Sequence, residues 1–450
     1  MRVWLTQTSE PYPFLEGAAR MRTANLAAEL HRRGHEVVWW GGNIEHRRKQ
    51  PLAAGVYEVA PGYEVRLLEA PHYARNVSLR RYRSYKVLAR EFAREARTLP
   101  PPDVVVAGLP IHDLAWAAVR YSSERGIPSL VDVRDLWPDY FVELLPRGLR
   151  ALGRAALAGD FRRKHEALSQ ATGVIGISRT YLEWGLAAAG RAAREADAVF
   201  FLGGNALDGN ALSGKALGGN ALDTAARGSG ATSAGATSVQ PGDDAAGVVA
   251  SEGPSKSREI VFGFLGVFGH TYDLETVIEA ARILHRAGET RARFALAGTG
   301  DFFERVSKAA EGLPNVTLPG WLDKAGVDAF LRRLDVGLAA YAAGAPQSLP
   351  NKPFQYFAAG APVLSSLHGE FGELLTSTQS GLTYRAGDPA SLVAAVRSLL
   401  DDPARIPEMG ARGAALFHST FDASVIYPLF ADHLEQVAAA APRKALRGAA

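Results

Sequence analysis

The stretch from Gln347 to Val363 (QSLPNKPFQYFAAGAPV) places a cation and an amide where one ligand could meet both. Its pattern predicts a loop, then a short helix, then a turn into a strand. Residues three or four apart share one face of a helix, so Lys352 can point toward the same ligand as Gln355 or Tyr356. Whether this face binds anything depends on the elements around it.

Two glycine turns offer backbone N–H groups to a phosphate. GTGD, from Gly298 to Asp301, falls where a strand ends and a helix begins, so its backbone can approach a ligand closely. GVFG, from Gly266 to Gly269, has the same placement one strand earlier. Any tight strand-to-helix turn favours glycine, so a purely structural interpretation of both turns stays open.

Several classes of protein are disfavoured by what the sequence lacks. No Walker sequence, GxSxG elbow or metal-spaced histidine cluster is present, which argues against phosphate-loop hydrolases, α/β-hydrolases and zinc enzymes. With no cysteine there is no disulfide framework, which fits a reducing cytosol. The chain opens directly on a strand, and no apolar run reaches the roughly 18 residues of a membrane span. We therefore expect a cytoplasmic protein.

Positive charge is concentrated in the first half of the chain. Residues 1 to 200 hold 29 Lys and Arg against 22 Asp and Glu, although the whole chain carries only +3. The segment from Arg75 to Arg97 has eight basic and two acidic side chains, with apolar residues at helical spacing. It predicts either a basic amphipathic helix on an anionic membrane surface or a helix packed on its own core with a solvated charged face. Nothing beside the charge indicates nucleic acid.

Strand-like apolar runs alternate with helical patterns in two separate parts of the chain, which predicts α/β domains with doubly wound parallel sheets. The first part covers residues 1–203 and the second covers 258–425. Between them, 204–257 is rich in Gly, Ala, Ser and Asn, contains a degenerate GGNAL-type repeat, and is predicted to be a disordered linker. The last part, 426–450, predicts a helix that packs back on the first domain, followed by a frayed tail. Ligands of such sheets bind beyond the carboxyl ends of the strands, so we expect a cleft between the domains.

The order of the motifs is more specific than any one of them. GHEVVWW, VDVRDLWPD, VIGIS, FALAGTGD, NVTLPGW, LPNKPFQYFAAGAPVLSS and SGLTY resemble, in sequence and order, the retaining glycosyltransferases of family 4. The closest likeness is to bacterial surface-polysaccharide transferases of the WbuB type, over residues 1–203 and 258–440. The resemblance implies the GT-B fold, in which two Rossmann-like domains face a cleft and the second binds a nucleotide-sugar donor.

The resemblance also implies roles for particular residues. Its donor-binding positions fall at Gly17, Arg20, Arg22, Gly266, Gly269, Gly298, Thr299, Gly300, Trp321, Leu322, Asn351, Lys352 and Gln355. Arg20 and Arg22 could instead be ordinary helix-surface arginines, and Trp321 and Leu322 could belong to a plain strand-to-helix turn. Lys352 would contact the diphosphate, where negative charge develops in the transition state. Asp132, Arg134 and Asp135 would bind or orient the acceptor, unless they form an Arg–Asp network that orders the loop. The catalytic candidates are Lys352, Gln355, Gln347, Asp135 and His112, although His112 could equally be a core histidine that starts a helix.

Two departures from the family pattern concern the charge of the site. The family's two glutamates, eight positions apart, correspond to Gln347 and Gln355, and its usual Arg and Lys after the first strand of the second domain are missing from GVFGHTYDL. Fewer carboxylates near a diphosphate reduce repulsion, so fewer cations are needed. An amide can still accept a hydrogen bond from a ribose hydroxyl and donate one to phosphate, but it stabilises a cationic sugar ring less well.

From these features we predict a retaining, metal-independent hexosyl- or N-acetylhexosaminyltransferase. Its donor would be a UDP-sugar in preference to a GDP-sugar, and its acceptor a polyprenyl-diphosphate-linked glycan at the inner face of the bacterial membrane. One alternative is a catalytically weakened GT-B protein that assists another transferase, which the two glutamines favour. Another is a GT-B sugar-nucleotide epimerase, against which RDLWPD argues.

Overall fold

A computed structural model describes residues 1–18, 20–46, 48–75, 78–204 and 258–441. The predicted linker, apart from Gly204, and the tail after Ala441 lie outside the described residues.

The first domain is built on an eight-stranded sheet. Its apolar runs pair in parallel, except that the last two strands form an antiparallel hairpin at one edge. The order across the sheet is β10-β9-β8-β7-β1-β2-β6-β5, and a small separate hairpin pairs β3 with β4. The strands are β1 (Arg2–Thr6), β2 (Glu36–Gly42), β3 (Ile44–Glu45), β4 (Gln50–Pro51), β5 (Gly55–Ala60), β6 (Tyr63–Leu68), β7 (Val104–Gly108), β8 (Ser129–Val133), β9 (Gly173–Gly176) and β10 (Ala198–Val199).

Helices cover both faces of this sheet. They are α1 (Arg22–Arg32), α2 (Leu79–Glu95), α3 (His112–Arg125), α4 (Asp139–Leu144), α5 (Arg150–Ala156), α6 (Ala158–Gln170) and α7 (Arg179–Ala189). On one face the fully buried rings of Trp4 and Trp40 meet edge to face at 5.2 Å, and Phe92 of α2 packs against both. The apolar stripe of α2 is therefore used in the core of its own domain.

The second domain has a six-stranded, all-parallel sheet in the order β13-β12-β11-β14-β15-β16. Its strands are β11 (Ile260–Leu265), β12 (Ala292–Ala297), β13 (Val316–Gly320), β14 (Val336–Ala339), β15 (Val363–Ser365) and β16 (Gly381–Thr383). Its helices are α8 (Leu274–Arg286), α9 (Phe303–Ala310), α10 (Lys324–Arg333), α11 (Asn351–Ala358), α12 (Glu370–Thr378), α13 (Pro389–Asp401) and α14 (Arg405–Leu416). A π-helical turn, Phe417–Phe421, leads into the final helix, α15 (Ala423–Ala440).

Both sheets reverse their strand order beside their first strand, between β1 and β7 and between β11 and β14. At such a reversal the connections leave on opposite faces and open a crevice beyond the carboxyl ends of the strands. Ser178, just after β9, contacts Ser348, just before α11, with 2.5 Å between the two Oγ atoms. The carboxyl edges of the two sheets therefore face each other across a cleft.

The chain crosses between the domains twice at one place. Backbone hydrogen bonds join Gly204 to Phe421 and Ala423, so the outgoing and returning segments run side by side. After this crossing, α15 lies on the first domain, where Phe430 and Leu434 are fully buried in its core. The helix begins at Ala423, three residues before the predicted boundary.

The structure corrects several elements expected from the sequence. The hairpin of β5 and β6 was not predicted, because continuous apolar runs served as the strand signal and these two strands at the sheet edge carry charges among their apolar positions. The apolar runs VWLTQT (3–8), SLVDVRDL (129–136) and RFALAGTG (293–300) predict strands over their whole length, but the strands end earlier, at residues 6, 133 and 297. In each case the excess residues are the loop at the carboxyl end, which turns toward the cleft.

Candidate active site

Lys352 occupies the first turn of α11, at the reversal point of the second sheet. Its Nζ lies 4.0 Å from the ring centre of Tyr272 and 5.0 Å from that of Phe264, in cation–π contact with both. Within the described part of the chain, no carboxylate lies within ion-pair distance of this ammonium. Burial lowers the pKa of Lys352 to about 8. A half-buried cation without a counter-ion is a ready binding group for an anion.

The glycine turn after β11 is shaped around this lysine. A Cβ atom on Gly266 would lie 1.6 Å from Lys352 Nζ, so only glycine leaves room for the ammonium. Gly269, at the end of the same turn, meets only Val267 at 3.9 Å and is not crowded. Of the two predicted donor-binding glycines of this turn, Gly266 is the one that lies against Lys352, the side chain predicted to bind the diphosphate.

The turn after β12 supports the turn after β11. Gly298 has φ +137°, and a Cβ there would lie 1.7 Å from the carbonyl oxygen of Gly266. Gly300 has φ +152°, and a Cβ there would lie 2.5 Å from the carbonyl oxygen of Phe268, whose N–H donates to the carbonyl oxygen of Thr299 at 2.9 Å. Thr299 is itself exposed. Both glycines are thus required by close packing of the two turns, which is the structural interpretation left open by the sequence.

An apolar surface is left uncovered beside these turns. The Trp321 ring, directly after β13, is 72% exposed, and Val267 in the turn after β11 is 63% exposed. Leu322, in contrast, is half-buried and packs on the core of the domain. An exposed indole at the carboxyl edge of a parallel sheet offers a flat face on which a planar ring could stack.

The two glutamines differ in their surroundings. Gln355 and Asn351 lie on the exposed side of α11. Gln347, in the loop before the helix, is half-buried, and its Oε1 is buried without a hydrogen-bond partner among the described residues. An unpartnered amide oxygen is costly unless something else donates to it. Gln347 therefore has a free acceptor next to the interdomain contact of Ser348.

Tyr356 belongs to the fold and does not face the cleft. The ring is fully buried, and its hydroxyl accepts from the N–H of Leu265 at 2.9 Å and donates to the carbonyl of Leu338 at 3.3 Å. It therefore joins β11 to β14. Of the residues that helical spacing allowed to share a ligand with Lys352, Tyr356 is unavailable.

Arg22 and Asp132 form a buried network in the first domain. Both side chains are almost completely inaccessible, and they pair through two hydrogen bonds of 2.9 and 3.0 Å. Arg22 also donates to the carbonyls of Phe200 and Phe201, at 2.8 Å each. Burial alone would raise the pKa of Asp132, but Arg134 and Arg22 outweigh it and lower that pKa.

This network favours the loop-ordering alternative for its members. Arg134 pairs with Asp132 at 2.7 Å and with Glu10, and it donates to Thr23 at 2.9 Å. The structure therefore gives Asp132, Arg134 and Arg22 the loop-ordering role. The Arg22 guanidinium is buried and already bonded to Asp132 and to the carbonyls of Phe200 and Phe201, so it is not available to a diphosphate.

Asp135, Gly17 and Arg20 remain on the cleft side of the first domain. Asp135 is exposed, yet the surrounding protein partly desolvates its carboxyl and raises its pKa. Hydrogen bonds from the N–H groups of Leu136 and Trp137 act in the opposite direction but do not cancel this rise. Gly17 is exposed with φ +66°, and Arg20 is exposed. All three are free to meet a ligand, and the structure leaves their predicted roles as predictions.

His112 is buried at the start of α3 rather than open to the cleft. Its Nε2 lies 2.8 Å from Asp160 and 3.6 Å from Asp113. Burial alone would raise the pKa of Asp160, but the bonds from His112 and Tyr82 outweigh it and lower that pKa. The ligand-type atoms of this trio lie within 4.8 Å of one another. Tyr82 donates a hydrogen bond to Asp160 and Arg163 pairs with Asp113 at 3.2 Å. The Nδ1 of His112 and the Oδ2 of Asp113 are buried without a hydrogen-bond partner among the described residues.

One contact between the domains was missed by sequence analysis. The carboxylate of Glu370, at the start of α12, accepts from the N–H groups of Arg179 and Thr180 at 2.9 and 3.0 Å and from the Thr180 hydroxyl at 2.8 Å. It thus caps the positive end of α7 across the cleft. Ser178-Arg-Thr is a typical start of a helix and predicts that N–H groups are free there. Nothing near it in the sequence indicates that Glu370, 190 positions from Thr180, accepts from them.

The fold and the site can now be compared with known proteins. The chain superposes on GT-B enzymes along almost its whole length, so it has the GT-B fold. Sucrose-phosphate synthase from Thermosynechococcus elongatus has a TM-score of 0.68 and 16% identity, covering 98% of this chain and 99% of that one. The structure of HepE from Anabaena in complex with UDP has a TM-score of 0.60 and 13% identity, and the match covers 97% of this chain and 99% of that one. WaaG, a glycosyltransferase involved in lipopolysaccharide biosynthesis, has a TM-score of 0.59 and 11% identity, and the match covers 96% of this chain and 99% of that one.

The second domain can be placed more closely. Residues 259–402, which contain both glycine turns and Lys352, match the family model for glycosyl transferases group 1. Curated proteins give no match to this sequence. The group 1 domain and the GT-B fold together support a glycosyl transfer function.

Proposed function

We propose that the protein is a retaining glycosyltransferase that moves a hexosyl or N-acetylhexosaminyl group from a UDP-sugar to a lipid-linked glycan. The single observation that carries the proposal is Lys352, a desolvated ammonium without a carboxylate partner, at the carboxyl edge of a group 1 glycosyltransferase domain. A diphosphate would supply the missing negative charge. Because that charge increases as the sugar leaves, the lysine would stabilise the transition state more than the ground state.

The rest of the cleft supports a nucleoside diphosphate donor. The exposed Trp321 ring could stack on a base, while Gln355 and Asn351 on the open side of α11 could bond a ribose. The free Oε1 of Gln347 suits a sugar hydroxyl. Structural neighbours were determined with UDP, with UDP-glucose and with UDP-2-fluoro glucose, which favours uridine over guanosine donors. Charge compensation by Lys352 removes the need for a metal ion in this proposal.

The acceptor is proposed to be a polyprenyl-diphosphate-linked glycan, in lipopolysaccharide or exopolysaccharide biosynthesis on the cytoplasmic side of the membrane. Asp135, exposed on the opposite wall and with a raised pKa, is the acceptor-side carboxyl we favour. No helix among the described residues is long and apolar enough to cross a bilayer. We propose peripheral contact with the membrane through positively charged side chains of the first domain.

A panel of UDP- and GDP-sugars, each with and without a lipid-linked acceptor, tests the proposal. We expect release of nucleotide and a mass increase of the glycan only when both substrates are present. Binding of nucleotide-sugar without turnover would favour an accessory GT-B protein, an alternative supported by the two glutamines. Sugar conversion without acceptor would favour an epimerase.

Gln355→Glu, measured in the same assay, tests the amide. We expect turnover to fall by about tenfold or more, because a carboxylate in this site would face a donor diphosphate with Lys352 as its nearby cation. Asn351→Ala, on the same exposed side of α11, is the matched control for ordinary loss of a polar contact. An increase in turnover with Gln355→Glu would instead show that the amide limits the rate.

A further inference from the structure

One segment of the first domain leaves its apolar side chains uncovered. From Glu143 to Gly159 no residue is buried, although the segment contains a 3₁₀ turn (Arg147–Leu149) and α5. Leu144 is 64% exposed, Leu149 is 49% exposed and Leu152 is 68% exposed. Single exposed leucines are ordinary on protein surfaces, but three within nine residues of one protruding segment form a patch. The helix α5 therefore contributes no fully buried side chain to the core of its own domain.

The same segment carries positive charge and almost no negative charge. Arg147, Arg150 and Arg154 recur at spacings of three and four, and no acidic residue occurs between 144 and 159. None of the three has a carboxylate within ion-pair distance in the described part of the chain. Arg150 instead donates to the carbonyls of Glu143 and Leu145, at 2.8 and 3.2 Å, which fixes the turn from α4 into α5.

The start of α2 extends this surface. Leu79 is 87% exposed, the highest value among the large apolar residues that the structure describes, and Arg80 and Arg83 beside it are exposed. Tyr82 of the same turn donates to Asp160 at 3.0 Å, which places the beginning of α2 next to the junction of α5 and α6. The patch adjoins the cleft, because α4 follows the carboxyl end of β8 after a five-residue loop.

We propose that residues 143–159, with the first turn of α2, dock on an anionic lipid bilayer. The leucines would enter the interface between headgroups and acyl chains while the arginines pair with lipid phosphates. The body of α2, to which the sequence pointed, cannot insert in this way because Leu88 and Phe92 are buried in the core. The docking would bring the acceptor side of the cleft to the membrane, and only this last consequence rests on the proposed function.

Sedimentation with vesicles tests the proposal directly. We expect the full-length protein to bind phosphatidylcholine vesicles containing phosphatidylglycerol, to bind pure phosphatidylcholine at least about tenfold more weakly, and to be released by salt. Leu149→Ser combined with Leu152→Ser should reduce binding by at least about tenfold, and Arg147→Gln combined with Arg154→Gln should do the same. Leu429→Ser, at an exposed leucine of α15, should change nothing.

Two readouts keep the test decisive. Thermal unfolding should be unchanged in the leucine variant, because neither side chain is buried. The UDP affinity of the leucine variant in solution should also equal that of the wild type. A wild-type protein that does not bind UDP would contradict the proposed function and leave the vesicle result standing. Vesicle binding that survives the leucine and arginine changes would overturn the docking surface. So would lipid-free self-association that the leucine changes abolish, since the patch would then be a protein interface.

Discussion

At the scale of single residues, Lys352 has an environment that is unfavourable unless an anion is bound. Its ammonium is half-buried against Phe264 and Tyr272, and its pKa is lowered to about 8 from the ordinary 10.5. This depression corresponds to about 3 kcal/mol of unfavourable free energy for the charged form at neutral pH. The unfolded chain holds the proton up to its ordinary pKa, so stability of the ligand-free protein should rise with pH between about 8 and 10.5.

The same pKa predicts how donor binding depends on pH. The ammonium loses its proton as the pH rises through about 8, so UDP affinity should fall above this pH by up to about tenfold per unit. Isothermal titration of UDP across this range measures the effect. Lys352→Arg is the control, because a guanidinium stays charged and should give a flat profile. A wild-type affinity that does not change through this range would mean that the ammonium does not contact the diphosphate.

Two glycines beside Lys352 should respond differently to the same change. Gly266→Ala pushes the movable end of Lys352 aside, so we expect UDP affinity to fall by about tenfold or more with little loss of stability. Gly298→Ala instead meets a backbone carbonyl at 1.7 Å and requires φ +137°, so it should destabilise the domain by about 2 kcal/mol or more. Chemical denaturation and UDP titration of both variants separate the two effects. Equal stability losses would contradict the assignment of Gly266 to the lysine.

At the scale of elements, the sequence was informative where a pattern is local. Alternating apolar runs and glycine turns predicted both doubly wound sheets, and the comparisons confirm the GT-B fold. Local patterns could not tell which polar side chains face one another. Arg22 and Asp132 are 110 positions apart, and Arg22 satisfies a buried carboxylate where the resemblance implied a phosphate contact. Likewise, helical spacing could not distinguish Tyr356, which faces the core, from Lys352.

The contact between α12 and α7 is predicted to hold the two domains together. Glu370→Ala removes a carboxylate that accepts three hydrogen bonds, so we expect a loss of about 1.5–3 kcal/mol in the free energy of unfolding and a more open average shape. Burial acts to raise the pKa of Glu370, but the bonds from Thr180 and Arg179 lower it, so the contact should persist until the pH falls below the ordinary range of a carboxyl.

Small-angle scattering and chemical denaturation measure these two effects. Glu373→Ala is the matched control, because Glu373 lies three residues away, is exposed and reaches Arg179 only at 3.4 Å. If both variants scatter like the wild type, the domain arrangement does not depend on Glu370.

At the scale of the whole molecule, the last helix unites the two halves of the chain. Phe430 of α15 is fully buried, stacks on Phe200 at 4.5 Å and lies under the guanidinium of Arg22 at 5.0 Å. The core of the first domain is therefore completed by residues that follow the second domain in sequence. Such a connection means that neither half of the chain is expected to fold fully alone.

Phe430→Ala should accordingly destabilise the first domain by about 3–5 kcal/mol, because it opens a cavity in a closed core. Leu429→Ala, one position earlier but 54% exposed, should change stability by less than about 0.5 kcal/mol. Thermal unfolding followed by calorimetry compares the two. Similar small effects for both variants would show that α15 is only loosely attached to the first domain.

The central claim is that Lys352 binds the diphosphate of a nucleotide-sugar, and UDP titration of wild type and Lys352→Met tests it most directly. Methionine fits the apolar surroundings and removes an unpaired buried cation, so the variant should unfold at an equal or higher temperature. Loss of a charged hydrogen bond to phosphate should weaken UDP by about tenfold to a hundredfold. A folded Lys352→Met variant that binds UDP as tightly as the wild type would contradict the account.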